Sequence, residues 1–323
     1  MRRIFGILAT LAVLLMLVPA AVAQQNFPTT PVHLLIPYAA GGAVDILGRT
    51  LGDELSKKWG QPVIIENRTG AGGTIASQVV AKSSPDGYTL VIIASGHAIN
   101  PYLYTKLPYD TFKDFTPISL LGSSPNMLLV AANSPFNTLG DVLTTARAKP
   151  GSLSYGMSGI GTSTHLAGEL LNYMAKVNIT AVSYKGGAPI INDLLGGHIP
   201  LSFNNIPESI GQIRSGSLRV LGVTTAKRSA VLPDSPTIAE AGVPGYDTAV
   251  WWGMLGPGGM PANLAAKISK DCTDALHAPA VKQRLDNLGA AVVGTTAAEF
   301  DKFIRAEYQK WGPIIKAAGI KGS

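Results

Sequence analysis

The sequence is poor in the residues that build covalent or metal-bound frameworks. It has a single cysteine, Cys272, so no disulfide can form within the chain. Its five histidines are scattered and show none of the short spacings that are typical of metal ligands. Basic residues form no long run and do not alternate with aromatic residues as they do in nucleic-acid-binding segments. We therefore expect no metal, no cofactor and no nucleic-acid partner.

Motifs of common enzyme classes are also missing. The segment Gly156–Ile160 does not complete the G-x-S-x-G motif of serine hydrolases. Gly70–Gly73 lacks the spacing of a dinucleotide-binding fingerprint, and no Walker A lysine motif occurs. Cys272 falls on the apolar face of a predicted helix, which is a poor place for a nucleophile. We expect that the protein is not an enzyme. The alternative is a secreted hydrolase that uses Ser158 and His165, but no motif of an activated nucleophile supports it.

Only the N-terminus has a long apolar run. Arg2 and Arg3 precede the apolar residues Ile4–Leu17, and Ala21–Ala23 has the small-x-small pattern that a signal peptidase recognises. The run is short for a membrane-spanning helix, which needs about 20 residues. We therefore predict a signal peptide over residues 1–23 that is cleaved after Ala23, with an uncleaved anchor as the alternative. No membrane span is predicted later in the chain.

The remaining chain alternates between strand patterns and helix patterns. Val32–Ile36 has the composition of a buried strand, Ala43–Lys58 that of an amphipathic helix, and Val63–Glu66 that of the next strand. A second series of the same kind begins near Asn126. Such alternation predicts an α/β fold in which helices cover largely parallel sheets.

The chain that follows the predicted signal peptide has about 300 residues. This length is too great for one ordinary hydrophobic core and suits two domains. We predict that residues 24–125 and 249–323 together form a discontinuous first lobe. Residues 126–248 are predicted to form the second lobe, with a ligand cleft between the two.

Loops at the carboxyl ends of predicted strands are candidate ligand sites, because ligands bind there in open α/β sheets. The first such loop runs from Pro37 to Asp45 and contains Gly41 and Gly42. Glycines let the backbone approach a ligand, and the following helix offers free N–H groups to an anion. Asp45 would complement the helix dipole in the first turn. An ordinary tight turn explains the same residues equally well.

A second candidate loop runs from Ser158 to His165. Its glycines and hydroxyls precede a predicted helix and suit a carboxylate or phosphate held by neutral donors. The alternative is helix capping alone, with Thr162 or Ser163 as the cap. His165 is a possible donor or a structural residue.

Two further segments complete the candidate site. Asn204 and Asn205 carry amides that suit a carboxylate or its bridging waters, although an Asx turn before Pro207 explains them as well. Lys185, in the segment Tyr184–Gly187, is a possible full positive charge near the ligand or a solvated turn residue.

At these residues the sequence resembles the Bug family, the TctC-type receptors of tripartite tricarboxylate transporters. The resemblance covers essentially the whole chain after the predicted signal peptide. The matching blocks are Pro37–Asp45, Gln61–Gly73, Pro85–Leu90, Ile99–Pro101, Lys106–Asp110, Gly161–Glu169, Tyr184–Gly186, Ala226–Ser229 and Pro236–Gly242.

The resemblance implies a two-lobed, Venus-flytrap (type II-like) binding protein with a parallel or mixed sheet in each lobe. It also implies that loops of both lobes hold a small carboxylate mainly through neutral donors and ordered waters. The residues implied are Tyr38, Ala40, Gly41, Gly42 and Asp45 in the first lobe and Ser158, Gly161, Thr162, Ser163, His165, Asn204 and Asn205 in the second. The resemblance implies an acidic residue where Asn204 stands, and this departure weakens the case for an amino-acid ligand.

From the residues and the resemblance together we expect a monomeric periplasmic solute-binding receptor. It would capture a small carboxylate and deliver it to a two-component membrane permease. The alternative is a receptor that presents the same ligand to the periplasmic domain of a sensor kinase, and the sequence does not distinguish the two.

Overall fold

The structure, a computed structural model, describes residues 27–38, 40–287 and 289–321. The predicted signal peptide, residues 1–23, lies outside the described residues. In the part of the chain that is described, no helix combines the length and apolarity needed to cross a membrane.

Strands and helices alternate through most of the described chain. The strands are β1 (Val32–Ile36), β2 (Val63–Asn67), β3 (Thr89–Ala94), β4 (Phe115–Ser124), β5 (Asn126–Ala131), β6 (Ser154–Met157), β7 (Thr180–Ser183), β8 (Leu201–Asn205), β9 (Leu218–Val223), β10 (Val250–Pro257) and β11 (Ala291–Val292). The helices are α1 (Ala43–Trp59), α2 (Thr74–Ala81), α3 (Gly96–Leu103), α4 (Leu139–Ala148), α5 (Ser163–Ala175), α6 (Gly187–Leu195), α7 (Ile206–Arg214), α8 (Ala262–Leu276), α9 (Pro279–Asn287) and α10 (Ala297–Ala318).

The strands form two mixed sheets. The first has the order β11-β4-β10-β3-β1-β2, with β1 parallel to β2 and β3, and β10 antiparallel to β3 and β4. The second has the order β7-β6-β8-β5-β9, with β6 parallel to β7 and β8, and β5 antiparallel to β8 and β9. The predicted α/β class with a parallel or mixed sheet in each lobe is confirmed. The residue boundaries of the two lobes stay a prediction.

The apolar patterns of the sequence explain these elements. All six residues of β5 are buried, as expected of a strand covered on both faces. In α1 the buried side chains of Val44, Leu47, Leu51 and Leu55 form one stripe at helical spacing. This helix ends at Gly60, whose left-handed backbone (φ 66°) caps it. Local sequence therefore specifies both the face and the end of the helix.

The structure contains three elements that the sequence patterns did not predict. Helix α3 contains Pro101 in its last turn, and with eight residues it is too short to show a clear apolar stripe. Strand β4 includes Pro117 and several serines, and its pairing with β10 is irregular at two points. Strand β11 has only two residues. Each of these elements is stabilised by its neighbours rather than by a strong local pattern.

Helix α10 packs against the cores of both sheets. Phe300 and Ile304, in its first half, belong to a buried cluster beside the first sheet. Trp311 and Ile315, in its second half, belong to the cluster that also contains Leu128 of the second sheet. The same helix therefore connects the two cores through side-chain packing.

Glu307 of α10 joins this helix to β10 through hydrogen bonds from two buried tryptophans. Its Oε2 accepts from Trp251 Nε1 of β10 at 3.0 Å and from Trp311 Nε1 at 3.1 Å. Both tryptophans are 1% exposed. Because a buried donor without an acceptor costs free energy, this carboxylate satisfies two groups that water cannot reach.

We expect Glu307→Ala to lower the free energy of unfolding by about 2–5 kcal/mol, since it leaves two buried indole N–H groups unsatisfied. Urea denaturation measures the change. Asp301→Ala on the same helix is the control, because it breaks only the exposed pair with Arg305 and should cost about 1 kcal/mol or less. Equal losses in the two variants would contradict the role assigned to Glu307.

Candidate functional site

A cleft of about 470 Å³ lies between loops of the two sheets. From the first sheet come the loop between β1 and α1, the start of α3, and residues Val250 and Trp252 of β10. From the second come the loop between β6 and α5 and the start of α7. The cleft therefore lies at the carboxyl ends of β1, β3, β6 and β8, where the strand-end rule places ligands.

The structure brings most of the residues predicted from sequence to this cleft, but not all of them. Those that line it are Tyr38, Gly41, Gly42, Ser158, Gly161, Thr162, Ser163 and Asn205. Those that do not line it are Ala40, Asp45, Lys185, His165 and Asn204. Ala40 and Lys185 are exposed to solvent, whereas the other three are buried.

Asp45 supports the first loop from behind. Its Oδ2 accepts the N–H of Gly41 at 2.8 Å and Arg49 Nε at 3.0 Å, while Oδ1 accepts Asn67 Nδ2 at 2.8 Å. Burial opposes ionisation, but the hydrogen bonds from Arg49, Gly41 and Asn67 outweigh it and lower the pKa of Asp45. The ionised carboxylate thus holds Gly41 in its left-handed conformation (φ 81°).

His165 supports the second loop in the same way. Its Nδ1 accepts the N–H of Gly161 at 3.1 Å, and Gly161 also has a left-handed backbone (φ 74°). Each supporting side chain is the third residue of its helix, and each glycine lies two residues before the helix begins. The cap residues Gly42 and Thr162 have almost identical backbone angles, φ −74° and ψ 167° against φ −75° and ψ 164°. The cleft is therefore bordered by two equivalent loops.

Each loop presents a helix N-terminus to the cleft. The first N–H groups of an α-helix have no acceptor within the helix. In α1 and α5 the residues that carry them and line the cleft include Gly42, Ala43 and Ser163. Thr162 also lines the cleft, but its N–H donates to the carbonyl of Gly159 at 3.3 Å. These groups, with the positive end of each helix dipole, suit an anionic ligand.

A buried hydroxyl organises the second loop. The Oγ1 of Thr164 lies 2.9 Å from Ser158 Oγ and 3.0 Å from Thr162 Oγ1, and it accepts the N–H of Ser158 at 3.0 Å. Thr162 Oγ1 also donates to the carbonyl of Gly159 at 2.7 Å. Thr164 lies within the predicted loop but was not among the predicted site residues.

Asn204 and Asn205 have different roles. Asn204 is fully buried; its Oδ1 accepts the N–H of Asn205 at 2.9 Å, and its Nδ2 donates to the carbonyl of Gly187 at 3.4 Å. Asn205 lines the cleft, and its Oδ1 accepts Asn126 Nδ2 at 2.7 Å. Asn204 thus positions the end of β8, and Asn205 contributes its amide to the cleft.

Several cleft residues were not predicted from sequence. Ser95, Asn100 and Tyr104 lie in or beside α3, the helix that the local pattern did not reveal. Glu208, in the first turn of α7, follows a strand end that was already a candidate, so the same rule could have found it. Glu208 is exposed to solvent in the cleft, yet protein atoms crowd its carboxylate, and this partial desolvation raises its pKa.

The charges around the cleft are few. Across the described ranges no Lys, Arg or His side chain lines it, and Glu208 is its one acidic side chain. Burial raises the pKa of Tyr38 to about 12, so its hydroxyl stays neutral at physiological pH. Clusters of three residues able to hold a metal ion are absent from the described part of the chain. An anion in this cleft would meet neutral donors.

Burial lowers the pKa of His165 to about 4. In the unfolded chain the pKa of histidine is about 6.5. His165 therefore does not lower the free energy of unfolding above pH 6.5, but this free energy falls as the pH drops from 6.5 towards 4, because the unfolded chain then binds a proton that the folded protein does not. We expect His165→Gln, which keeps an acceptor for Gly161, to reduce the loss of unfolding free energy between pH 7.5 and 4.5. The reduction should be about 2–3 kcal/mol. Urea denaturation at both pH values measures it; an unchanged loss would mean that the Glu169 carboxylate, 3.9 Å away, keeps His165 protonated.

Comparisons with known proteins agree with this architecture. A family model described as the tripartite tricarboxylate transporter family receptor matches residues 47–320. Protein BugT of Bordetella pertussis is 31% identical over 306 residues, which cover 94% of each chain. The structure of Rpa4515 from R. palustris, solved with adipate, has a TM-score of 0.79 and 38% identity, covering 91% of this chain and 99% of that one. The structure of MatC from Rhodopseudomonas palustris with bound malate has a TM-score of 0.76 and 32% identity, covering 90% of this chain and 100% of that one.

These similarities confirm the family resemblance seen in the sequence. The related proteins are solute-binding receptors, so the expectation that this chain is not an enzyme is confirmed as well. Another similar structure is that of the periplasmic binding protein BugD. The chain belongs to the tripartite tricarboxylate transporter receptor family, the TctC or Bug family of periplasmic solute-binding proteins.

Proposed function

We propose that this protein captures a small carboxylate between two lobes and delivers it to a membrane permease of the tripartite tricarboxylate type. One observation carries the proposal: two equivalent glycine loops, each supported from behind, present helix N-termini to the same cleft. The N–H groups and hydroxyls of these loops provide donors on both sides of a bound anion.

The absence of a lining cation among the described residues is compatible with anion binding. Helix N-termini and backbone amides stabilise a carboxylate through hydrogen bonds that are oriented before the ligand arrives. Bonds to an ionised acceptor are stronger than bonds between neutral groups. In a closed cleft, such donors compensate the carboxylate for the water that it loses.

Related proteins support the choice of a carboxylate. Rpa4515 was solved with adipate and MatC with malate, both of which are dicarboxylates. We propose that the contacts in this chain come from Tyr38, Gly41, Gly42, Ser158, Gly161, Thr162, Ser163 and Asn205. Asp45, His165, Thr164 and Asn204 then act by positioning these groups.

Closure would follow from contacts on both sides of the cleft. A ligand that touches the loops of both sheets stabilises the closed arrangement more than the open one, and so biases a hinge equilibrium. We propose lobes of residues 24–125 plus 249–323 and of residues 126–248, export through the predicted signal peptide, and a monomeric receptor. The family description supports a membrane transporter, rather than a sensor kinase, as the partner.

A thermal-shift screen of carboxylates tests the binding function. A ligand present at a hundredfold excess over its Kd adds about 2.7 kcal/mol to the stability of the folded state, so a true ligand should raise the Tm by several degrees. Methyl esters of the same acids are the control, because they retain the carbon skeleton without the anion. If no mono-, di- or tricarboxylate shifts the Tm beyond its ester, the carboxylate proposal is wrong.

Two substitutions test the loops. Gly42 has φ −74° and ψ 167°, which any residue adopts, so Gly42→Val adds a side chain at the cleft without backbone strain. Thr162→Val removes the hydroxyl that donates to the carbonyl of Gly159 and caps α5. It therefore disturbs the position of the second loop, and the lost cap costs about 1 kcal/mol of stability. Both should weaken the binding of the best carboxylate about tenfold or more, as measured by isothermal titration calorimetry.

Thr138→Val is the matched control for the loss of a cap. Thr138 caps α4 through the N–H of Asp141 and does not line the cleft. This variant should lose similar stability and keep the affinity of the native protein. Unchanged affinity in both Gly42→Val and Thr162→Val would show that the ligand binds elsewhere.

A further inference from the structure

The carboxylate of Glu208 gives the cleft a second chemical character, opposite to that of the glycine loops. The loops offer donors to an anion, whereas Glu208 offers an ionisable acceptor in the same cleft. Residues that line the cleft in the described structure include no cation to neutralise it. A ligand that fills the cleft therefore meets donors at one place and an acid at another.

The carboxylate of Glu208 occupies a defined place. Asn205 Nδ2 donates to its Oε2 at 3.3 Å, and Asn126 fixes the orientation of the Asn205 amide by donating to its oxygen at 2.7 Å. A Cβ atom on Gly187 would lie 1.9 Å from Glu208 Oε2. Since the backbone of Gly187 does not have a positive φ, the space taken by Glu208 is what excludes a side chain there.

Helix capping does not account fully for Glu208. At α10 the third residue, Glu299, forms a reciprocal capping box with Thr296. At α7 the cap residue Asn205 makes no side-chain cap hydrogen bond, and its amide is bonded instead to Asn126 and Glu208. The described donors to Glu208 all come from Asn205. A carboxylate has about four acceptor positions, so Glu208 keeps acceptor capacity for a ligand.

The charge of Glu208 discriminates between ligands of equal length. A second ionised carboxylate beside it would be repelled, and no lining cation offsets that repulsion. A hydroxyl group would donate a hydrogen bond to it, and an ammonium group would add an ion pair.

We propose that Glu208 is a specificity-determining residue that selects a carboxylate bearing a hydrogen-bond donor, an ammonium or a hydroxyl group, away from the bound carboxylate. This inference rests on the proposed function, since it assumes that the glycine loops hold the carboxylate. It reverses the sequence-based expectation that the missing acid at Asn204 disfavours an amino-acid ligand, because Glu208 provides an acid next to that position.

Matched ligand series test the proposal by isothermal titration calorimetry at pH 7.5, with protein expressed from the full sequence. All acids in one series have the same number of carbons, and the four series cover three to six carbons. Each series compares the ω-amino acid, the ω-hydroxy acid, the dicarboxylate and the unsubstituted monocarboxylate. The variants are the native protein, Glu208→Gln, and Glu299→Gln as a control at the same helical position outside the cleft.

We expect a donor-bearing acid to bind the native protein at least tenfold more tightly than the dicarboxylate of equal length. If the donor is an ammonium group, Glu208→Gln should weaken its binding tenfold or more. If it is a hydroxyl group, the loss should be smaller, because glutamine still accepts a hydrogen bond. In either case Glu208→Gln should strengthen dicarboxylate binding, and Glu299→Gln should change none of these values.

Two results separate the failure of this inference from the failure of the proposed function. If carboxylates bind but the dicarboxylate is preferred by the native protein, or Glu208→Gln leaves the ranking unchanged, the role of Glu208 is wrong and the receptor proposal stands. If no member of any series binds, and the thermal-shift screen finds no other carboxylate that binds, both proposals fail.

Discussion

The cleft depends on one type of hydrogen bond, which joins a backbone N–H in each loop to a side chain in the helix that follows. Asp45 accepts from Gly41, and His165 accepts from Gly161. Both acceptors are buried, so they hold the glycines in left-handed conformations without competition from water. The direction of the first N–H groups of α1 and α5, and therefore the chemistry offered to a ligand, follows from these two bonds.

Asp45 and His165 accept these glycine N–H groups in different protonation states. Asp45 acts as an ionised carboxylate, stabilised by Arg49 and Asn67. His165 acts as a neutral imidazole, because burial lowers its pKa to about 4. The glycine N–H groups are thus occupied by the protein in both loops, and the N–H of Thr162 donates to the carbonyl of Gly159 at 3.3 Å. The backbone donors left for the ligand are those of Gly42 and of the first residues of α1 and α5. The cleft stays free of lining cations in the described structure, and Glu208 becomes its dominant charge.

Side chains that link the two cores determine how the loops face each other. Helix α10 packs on both cores, and Glu307 ties Trp251 of β10 to Trp311. Helix α3 also approaches the second loop: a Cβ on Gly161 would lie 2.6 Å from Leu103 Cδ1. Glycine at position 161 therefore meets two requirements, a positive φ and close packing between the sheets.

Much of the fold could be read from local patterns. The continuous apolar runs of β1 and β5, the apolar stripe of α1 and the glycines at strand ends all depend on near neighbours in the chain, and all were recognisable. The elements that were missed, α3, β4 and β11, have proline, serine or too few residues in place of a regular pattern. They persist because strands and helices distant in sequence cover them.

The α/β class, the two loops that border the cleft and the family follow from the order of the amino acids, since these depend on periodicity, on glycine and hydroxyl placement and on ordered blocks of residues. Which residues of a loop face the cleft and which support it depends on how the folded chain packs around that loop. Asp45, His165 and Asn204 lie within predicted segments yet point into the protein, whereas Glu208 and the residues of α3 reach the cleft. The physical reason is that side-chain direction at a helix start depends on what packs behind the loop, and that packing comes from distant parts of the chain.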